Sequence, residues 1–227
     1  MGKHGAAWGT GLLLGFCGVT VGAQSSFGPG EQATYAVQYL GMTAGVAQIT
    51  VGAEARQWGK SVWPIVTIAR TDSIAALYPV KDKFITYWDA STQRTLGSDL
   101  YADEGRKKRR QRVKIEHEGR TAQVFKQKEG EDEIESTHEV SPGAYDIAAV
   151  VFALRNRPLS VGGEVELPVF TGSKSFTLKA KVEGTETLET CLGSKEVFRI
   201  RARTDFSGKF QSQRDLLAYI TTDALRL

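Results

Sequence analysis

The stretch SPGAYDIAAVVFALRNRPLSVGGEV, residues 141–165, predicts a single helix in a chain that otherwise has the pattern of β-sheet. Ser141 or Tyr145-Asp146 stands at its beginning, where helices carry capping or acidic residues, and Asp146 can accept hydrogen bonds from free amide groups and complement the positive end of the helix dipole. Pro158 forbids continuation of the helix, and Gly162-Gly163 marks a turn into the next strand. These signals predict a helix over residues 144–156.

The helix is expected to bury one apolar stripe. Ile147, Val150, Val151 and Leu154 recur at i, i+3, i+4 and i+7, which is the spacing of one helix face. Arg155 and Arg157 follow at the negative end of the dipole. We expect the stripe to pack on the sheet, with the helix acting as a lid.

The segments on either side of the helix alternate with a period of two. In VFRIRARTDF, residues 197–206, apolar side chains occupy one face and arginines the other, and SFTLKAKVEG at 175–184 repeats this with lysines. TYAVQYLGMTAGVAQITV at 34–51 contains two β-prone runs around a glycine-containing turn, which is typical of a hairpin. The prediction is an all-β, antiparallel fold with one short packed helix, either a curved sheet or a barrel.

A faint internal repeat suggests two weakly related halves. ARTD occurs at 69–72 and again at 202–205, and each copy is followed by a strand-like run ending in aspartate, ITYWDAS at 85–91 and YITTDAL at 219–225. Each half would then contain a strand, a long excursion and a return strand. Coincidental resemblance between unrelated strands is the alternative.

A basic stretch lies in the first half. If Glu118-Gly119 forms a two-residue turn, Val113 lies opposite Val124 and Ile115 opposite Ala122, so one face of this hairpin is apolar. One interpretation of the basic side chains is a solvated face beside the acidic segment at 129–139. The other is contact with anionic headgroups or polysaccharide. The candidate residues for this contact are Arg106, Lys107, Lys108, Arg109, Arg110, Arg112 and Lys114.

The N-terminus predicts export. A short basic start, an apolar stretch and Val21-Gly22-Ala23 indicate a signal peptide over 1–23, leaving a single β-rich domain over 24–227 in the periplasm. A membrane anchor and lipidation at Cys17 are the alternatives, but the apolar run is short and Phe16 precedes the cysteine. Cys191 would be the one remaining cysteine, so the mature domain has no internal disulfide. A net charge of +3 gives no support to a nucleic-acid binder.

The sequence contains few motifs that indicate catalysis or the binding of a metal or cofactor. His117 and His138 lack metal-ligand spacing, and no serine or glycine-rich loop has a catalytic or phosphate-binding pattern. We therefore predict no catalytic residue, no metal and no cofactor. The alternative is an acid–base site assembled from strand-end residues, namely Asp72, Asp89, Asp205, Asp223, Arg70 and Arg203. Aromatic side chains either line an apolar ligand groove or fill the core, and the candidates are Trp58, Trp63, Trp88, Tyr87 and Phe84.

Three stretches resemble a known family. PGEQATYAVQYLGMTAGVAQITV, YDIAAVVFALRNRPLSVGGE and YITTDALRL are similar to the bacterial exported domain of unknown function numbered 3108, from about Phe27 onward. The resemblance implies an exported β-rich protein of Gram-negative bacteria, with no established activity and no catalytic residues to transfer. Members normally continue for another strand after the last of these stretches, so we expect the chain to be truncated at Leu227.

Three functional hypotheses follow. The first is a non-catalytic envelope protein that binds an amphipathic ligand, lipid or glycan, with peripheral membrane contact. The second is a scaffold or assembly factor that docks another envelope protein through its charged faces. The third is an undetected hydrolase. Ligand binding predicts an apolar cavity beneath the helix, whereas scaffolding predicts a filled interior and an exposed patch elsewhere.

Overall fold

The structure, a computed structural model, describes residues 13–16, 26–39, 42–71, 79–105, 107–204 and 216–227. One helix, α1 (Ala149–Arg155), divides the described strands into two groups. The strands before it are β1 (Leu13–Phe16), β2 (Gln32–Tyr39), β3 (Met42–Val51), β4 (Ala55–Gln57), β5 (Lys60–Thr71), β6 (Lys81–Asp89), β7 (Arg94–Glu104), β8 (Lys107–Glu116), β9 (Thr121–Lys128) and β10 (Ile134–Glu139). Those after it are β11 (Glu164–Phe170), β12 (Ser175–Thr190), β13 (Gly193–Thr204) and β14 (Leu216–Thr221).

The strands form two antiparallel sheets. The larger has the order β1-β2-β3-β5-β6-β7-β8-β9-β10, with β4 paired to β5, and the smaller has the order β11-β12-β13-β14. The predicted all-β antiparallel fold with one short helix is therefore confirmed. Among the described strands β1 and β10 lie at opposite ends of the larger sheet and do not pair, so the sheet is open rather than a closed barrel. β1 falls within the segment predicted as a signal peptide and pairs with β2.

The predicted hairpin registers are also confirmed. Val113 pairs with Val124 and Ile115 with Ala122, and all four side chains are buried. They form a second small core with Val140, Ala144 and Phe170. In β13, the buried Phe198, Ile200 and Ala202 alternate with arginines as the period of two predicts.

The described parts of the two repeated segments lie in different sheets, and β6 is an inner strand of its sheet whereas β14 is the last strand in the order of the other. Each lies on a pair of neighbouring strands, β5–β6 and β13–β14. Asp89 accepts a hydrogen bond from the amide of Ser91 at 2.9 Å, and Asp223 accepts one from the amide of Leu225 at 3.1 Å. Both aspartates thus close the turn that follows the return strand. In the described part of the chain the halves differ in size, with ten strands in one sheet and four in the other.

The main core lies where both sheets meet the helix. It contains Ile65 and Trp88 from the larger sheet, Phe152 and Leu154 from α1, and Ile200 from the smaller sheet. Phe27 lies among them, with ring centroids 4.6 Å from Phe152 and 5.4 Å from Trp88 in edge-on geometry. Aromatic and aliphatic side chains therefore fill the space beneath the helix.

Of the two predicted cap candidates, Asp146 is the one that caps the helix, whereas the predicted length and buried face were wrong. The Asp146 carboxylate accepts hydrogen bonds from the amides of Ala148 and Ala149 at 2.9 and 2.8 Å. The helix spans Ala149–Arg155, shorter than 144–156. Ile147 precedes it and is 53% exposed, and Val151 is 50% exposed. Since two sheets cover the helix, the buried arc is wider than one stripe and includes Phe152 and Arg155.

Arg155 has a role that its place at the helix end did not indicate. Its side chain is only 5% exposed and forms a two-pronged ion pair with Glu31, which is 4% exposed, at 2.5 and 3.0 Å. The same guanidinium donates to the carbonyls of Ser26 at 2.7 Å and Leu225 at 3.0 Å. Arg155 therefore links the segment before β2, the helix and the C-terminal segment.

Candidate functional site

A row of basic side chains crosses one face of the larger sheet. The register places Arg70 of β5 opposite Lys81 of β6, and Lys83 of β6 opposite Tyr101 of β7. Tyr101 in turn lies opposite Arg110 of β8. Because side chains of directly paired residues lie on the same face of a sheet, these residues form one continuous surface. This face is opposite the one that carries the core residues Ile65 and Val113.

The row lines an open cavity of about 590 Å³. We call it the basic groove. Among the described residues its lining contains seven basic and three acidic side chains, an excess of four positive charges, whereas the whole chain has a net charge of only +3. The charge of the protein is therefore concentrated at this place. The charged lining residues are Arg70, Lys81, Lys83, Lys108, Arg109, Arg110, Lys128, Asp82, Asp103 and Glu129.

Several of these cations lack a compensating acid. Within the described part of the chain, no carboxylate lies within 4.0 Å of the charged nitrogens of Lys81, Lys83 or Arg110. The Arg110 guanidinium instead lies 5.7 Å from the ring centroid of Tyr101, a cation–π arrangement. Lys108 does have a partner, Glu129 at 3.5 Å, but both are exposed and the pair is weak. The groove thus presents positive charge to solvent.

The predicted basic stretch is divided between two faces by strand alternation. Lys108, Arg110, Arg112 and Lys114 share the face of the groove. Lys107 and Arg109 belong to the other face by strand alternation, although Arg109 still borders the cavity. Neighbouring acids neutralise three of the residues: Asp99 pairs with Arg112 at 3.4 Å, Glu116 with Lys114 at 2.6 Å and Glu104 with Arg109 at 3.0 Å. Arg106 lies outside the described residues. The stretch contributes to the groove chiefly through Lys108 and Arg110.

An apolar strip continues from the groove along the same face. Ile68 lines the groove beside Lys83. Two residues further along the strands, Val66 pairs with Ile85, and the next position holds Tyr87. The side chains of Ile68, Val66 and Ile85 are half-buried, and none belongs to the main core. A charged end and an apolar end therefore lie side by side on one sheet surface.

The five predicted aromatic residues divide between the two faces. Trp88 is 1% exposed and stacks on Tyr145, while Trp63 packs against the core beside Phe27. Phe84 lies on the same face as the fully buried Thr86. Tyr87 and Trp58 lie on the groove face, with ring centroids 5.3 Å apart. The structure thus brings Tyr87 and Trp58 together at the far end of the apolar strip.

Gly97 makes room for Trp58 at this end. Its φ of +149° is a conformation that favours glycine, and an added Cβ would lie 2.0 Å from the Val113 carbonyl oxygen and 2.8 Å from the Trp58 ring. We expect Gly97→Ala to lower the free energy of unfolding by roughly 2–4 kcal/mol, because strain and overpacking add. Urea denaturation measures this change.

Gly184→Ala is the matched control. Gly184 is also a strand residue, but an added Cβ would meet no atom within 4 Å. We expect its unfolding free energy to change by less than about 0.5 kcal/mol. Equal effects of the two substitutions would contradict the packing of Trp58 over Gly97.

The candidate acid–base residues are dispersed. Although burial opposes ionisation, hydrogen bonds from Ser91 and Thr92 together lower the pKa of Asp89. Arg70 lies in the groove and Arg203 in β13, whereas Asp72 and Asp205 lie outside the described residues. His117 contacts the Thr95 carbonyl oxygen at 2.7 Å, and His138 contacts Ser136 at 2.9 Å. Among the residues that the structure describes, no three His, Cys, Asp or Glu side chains group as metal ligands.

Sequence reasoning missed the part of the groove that comes from β5, β6 and β7. Arg70, Lys81, Lys83 and Tyr101 are separated along the chain from the basic stretch, and each is unremarkable by itself. The sequence signal that could have found part of the groove is the alternation of side chains along a strand. Lys81 and Lys83 flank Asp82, so both lysines point to one face of the sheet. Only the pairing of β6, β7 and β8 shows that this face adjoins Arg110.

Comparison with known families gives one match. The model of the family described as Protein of unknown function (DUF3108) matches residues 34–227. The chain belongs to this family. The match covers nearly all of both sheets and the helix, so the groove of this DUF3108 protein lies entirely within the family domain.

The other comparisons give no match. No curated protein and no solved structure resembles the DUF3108 chain significantly. In the described segments, no helix has the length and hydrophobicity needed to span a membrane.

Proposed function

We propose that the protein is an exported envelope protein that binds an anionic amphipathic ligand, lipid or glycan, without catalysis. The observation that carries the proposal is the basic groove: exposed Lys81, Lys83 and Arg110 lack carboxylate partners among the described residues and adjoin an apolar strip. Uncompensated cations attract anionic groups, and apolar side chains bind the remainder of an amphiphile.

Binding fits these residues better than catalysis does. Lysine, arginine and tyrosine side chains recognise phosphate or carboxylate through charge and hydrogen bonds. Burial raises the pKa of Asp82, although the carboxylate accepts a hydrogen bond from the Asp103 amide at 3.0 Å. That carboxylate is already engaged by the backbone, which does not favour a role as a general base.

Export supports the same interpretation. The predicted signal peptide over 1–23 would direct the domain to the periplasm, which is the compartment that we propose for ligand binding. An exposed basic surface would also produce peripheral membrane contact, because each Lys or Arg near anionic headgroups contributes about 1 kcal/mol of binding free energy. The interaction should weaken as ionic strength rises, since exposed charges are screened over about 10 Å at 0.1 M salt.

The first test is native mass spectrometry of protein purified from its own envelope. We expect the wild-type protein to carry a non-protein mass, and Lys83→Gln/Arg110→Gln to lose most of it. Removing two cations should weaken binding about 30-fold, since each contributes about 1 kcal/mol.

Arg56→Gln/Lys60→Gln is the control with the same change in net charge. Both residues are exposed. Lys60 begins β5 and Arg56 of β4 pairs with Ser61, so both lie about 30 Å from Arg70 by the rise per strand residue. This variant should keep the ligand. An equal loss from both variants, or a wild-type protein without ligand, would refute a ligand site in the groove.

A scaffold that docks another envelope protein is the second candidate. The filled space beneath the helix supports it, because ligand binding was expected to need an apolar cavity there. A wild-type protein that co-purifies with a stoichiometric protein partner and without a small ligand would favour the scaffold.

A further inference from the structure

We infer that the ligand is a phosphate-bearing lipid, with its phosphate bound between Lys83 and Arg110 above Tyr101 and its acyl chain on the strip formed by Ile68, Val66 and Ile85. This inference rests on the proposed function and gives the ligand a chemical class and an orientation.

The charged end of the groove, at Lys83 and Arg110, has the geometry of an anion-binding site. Lys83 and Arg110 lie on β6 and β8, on either side of Tyr101 in β7, so their backbones are about two strand spacings, or 9–10 Å, apart. Two long cationic side chains separated in this way can converge on one tetrahedral anion. The 38% exposed Tyr101 lies between them, with its hydroxyl available as a third donor.

A phosphate fits this anion-binding site better than a single carboxylate does. Three donor groups lie in one row across β6, β7 and β8, and a phosphate offers them more oxygens than the two of a carboxylate. Asp103 lies one row beyond, opposite Lys108, and repels a second anion there. The charges therefore favour one headgroup phosphate at the row of Lys83.

The apolar strip sets the direction of the chain. Ile68 stands opposite Lys83, and Val66 and Ile85 stand about 7 Å further along the strands, away from Arg70 and Lys81. Beyond them lie Tyr87 and Trp58. Polar residues flank the strip, because Asp99 accepts a hydrogen bond from Tyr87 at 2.8 Å and pairs with Arg112. An acyl chain that extends from the phosphate in this direction would cover these apolar side chains.

Calorimetric titration of the purified protein with four probes tests the inference. The probes are decyl phosphate below its micelle concentration, inorganic phosphate, decyl glucoside and oligogalacturonate. We expect decyl phosphate to bind at least about 100-fold more tightly than inorganic phosphate, because the chain buries apolar surface, and also more tightly than decyl glucoside.

Variants separate the two ends of the site. Lys83→Gln/Arg110→Gln should weaken the binding of decyl phosphate about 30-fold. Val66→Thr/Ile85→Thr retains β-branched side chains. It should lower the affinity for decyl phosphate about tenfold and leave the affinity for inorganic phosphate unchanged. Val161→Thr, in the exposed turn before β11, should change neither.

The outcomes distinguish this inference from the proposed function. If oligogalacturonate binds the wild-type groove and decyl phosphate does not, the lipid assignment is wrong and the proposed function stands. If no anionic probe binds, or if binding is insensitive to Lys83→Gln/Arg110→Gln, both are wrong. Equal binding of decyl phosphate and inorganic phosphate would overturn the assignment of the acyl chain to the strip.

Discussion

Replacement of Arg155 by methionine is expected to lower the free energy of unfolding by about 3–5 kcal/mol, because it leaves the buried Glu31 carboxylate without its partner. Both side chains are at most 5% exposed, and the pair is two-pronged at 2.5 and 3.0 Å. The guanidinium also lies 5.4 and 5.6 Å from the rings of Phe27 and Phe152. Chemical denaturation followed by tryptophan fluorescence measures the loss.

Three further variants isolate the ion pair from the packing. Arg155→Lys should recover little, since an ammonium cannot form two parallel hydrogen bonds with Glu31. Arg155→Met/Glu31→Met should recover part of the loss, because it removes both charges from the interior. Arg157→Met, at an exposed position two residues later, should cost less than about 1 kcal/mol. A loss below 1 kcal/mol for Arg155→Met would show that the interior ion pair is absent.

The stability of the protein is expected to fall between about pH 4 and pH 7 through the titration of Asp146. Burial raises the pKa of Asp146 from 3.8 to about 7, although the carboxylate accepts hydrogen bonds from the Ala149 and Ala148 amides and from Thr86. In this interval the folded state binds more protons than the unfolded state, so stability decreases as pH rises and levels off above about pH 7. The contribution is up to about 4 kcal/mol.

Asp146→Asn is the variant that isolates this contribution. An amide oxygen can accept the same hydrogen bonds at the helix start, and it has no charge to titrate. The stability of the wild-type protein relative to Asp146→Asn should therefore fall from pH 4 to pH 7, while other titrating groups cancel in the comparison. Asp146→Ala should be about 2–4 kcal/mol less stable than Asp146→Asn at all pH values, because neither variant titrates at this position and alanine loses three hydrogen bonds. A pH-independent difference between wild type and Asp146→Asn would refute the raised pKa.

Local sequence determined the elements of this protein. The alternation of Phe198, Ile200 and Ala202 with arginines defined a strand face, and the turn at Glu118-Gly119 defined a hairpin register, because both depend on residues close in sequence. Asp146 was identifiable as a helix cap for the same reason. These features follow from side-chain alternation and local hydrogen bonding, which neighbouring residues alone decide.

Only the tertiary structure decided which elements meet. The extent of the buried arc of α1 depends on two sheets that cover the helix, so the exposure of Ile147 and Val151 could not be read from their spacing. Arg155 and Glu31 are 124 residues apart, and their pairing requires the helix to reach the start of β2. The basic groove likewise depends on register: β5 to β8 pair in sequence order, but only the exact register of β6, β7 and β8 aligns Lys83, Tyr101 and Arg110 in one row.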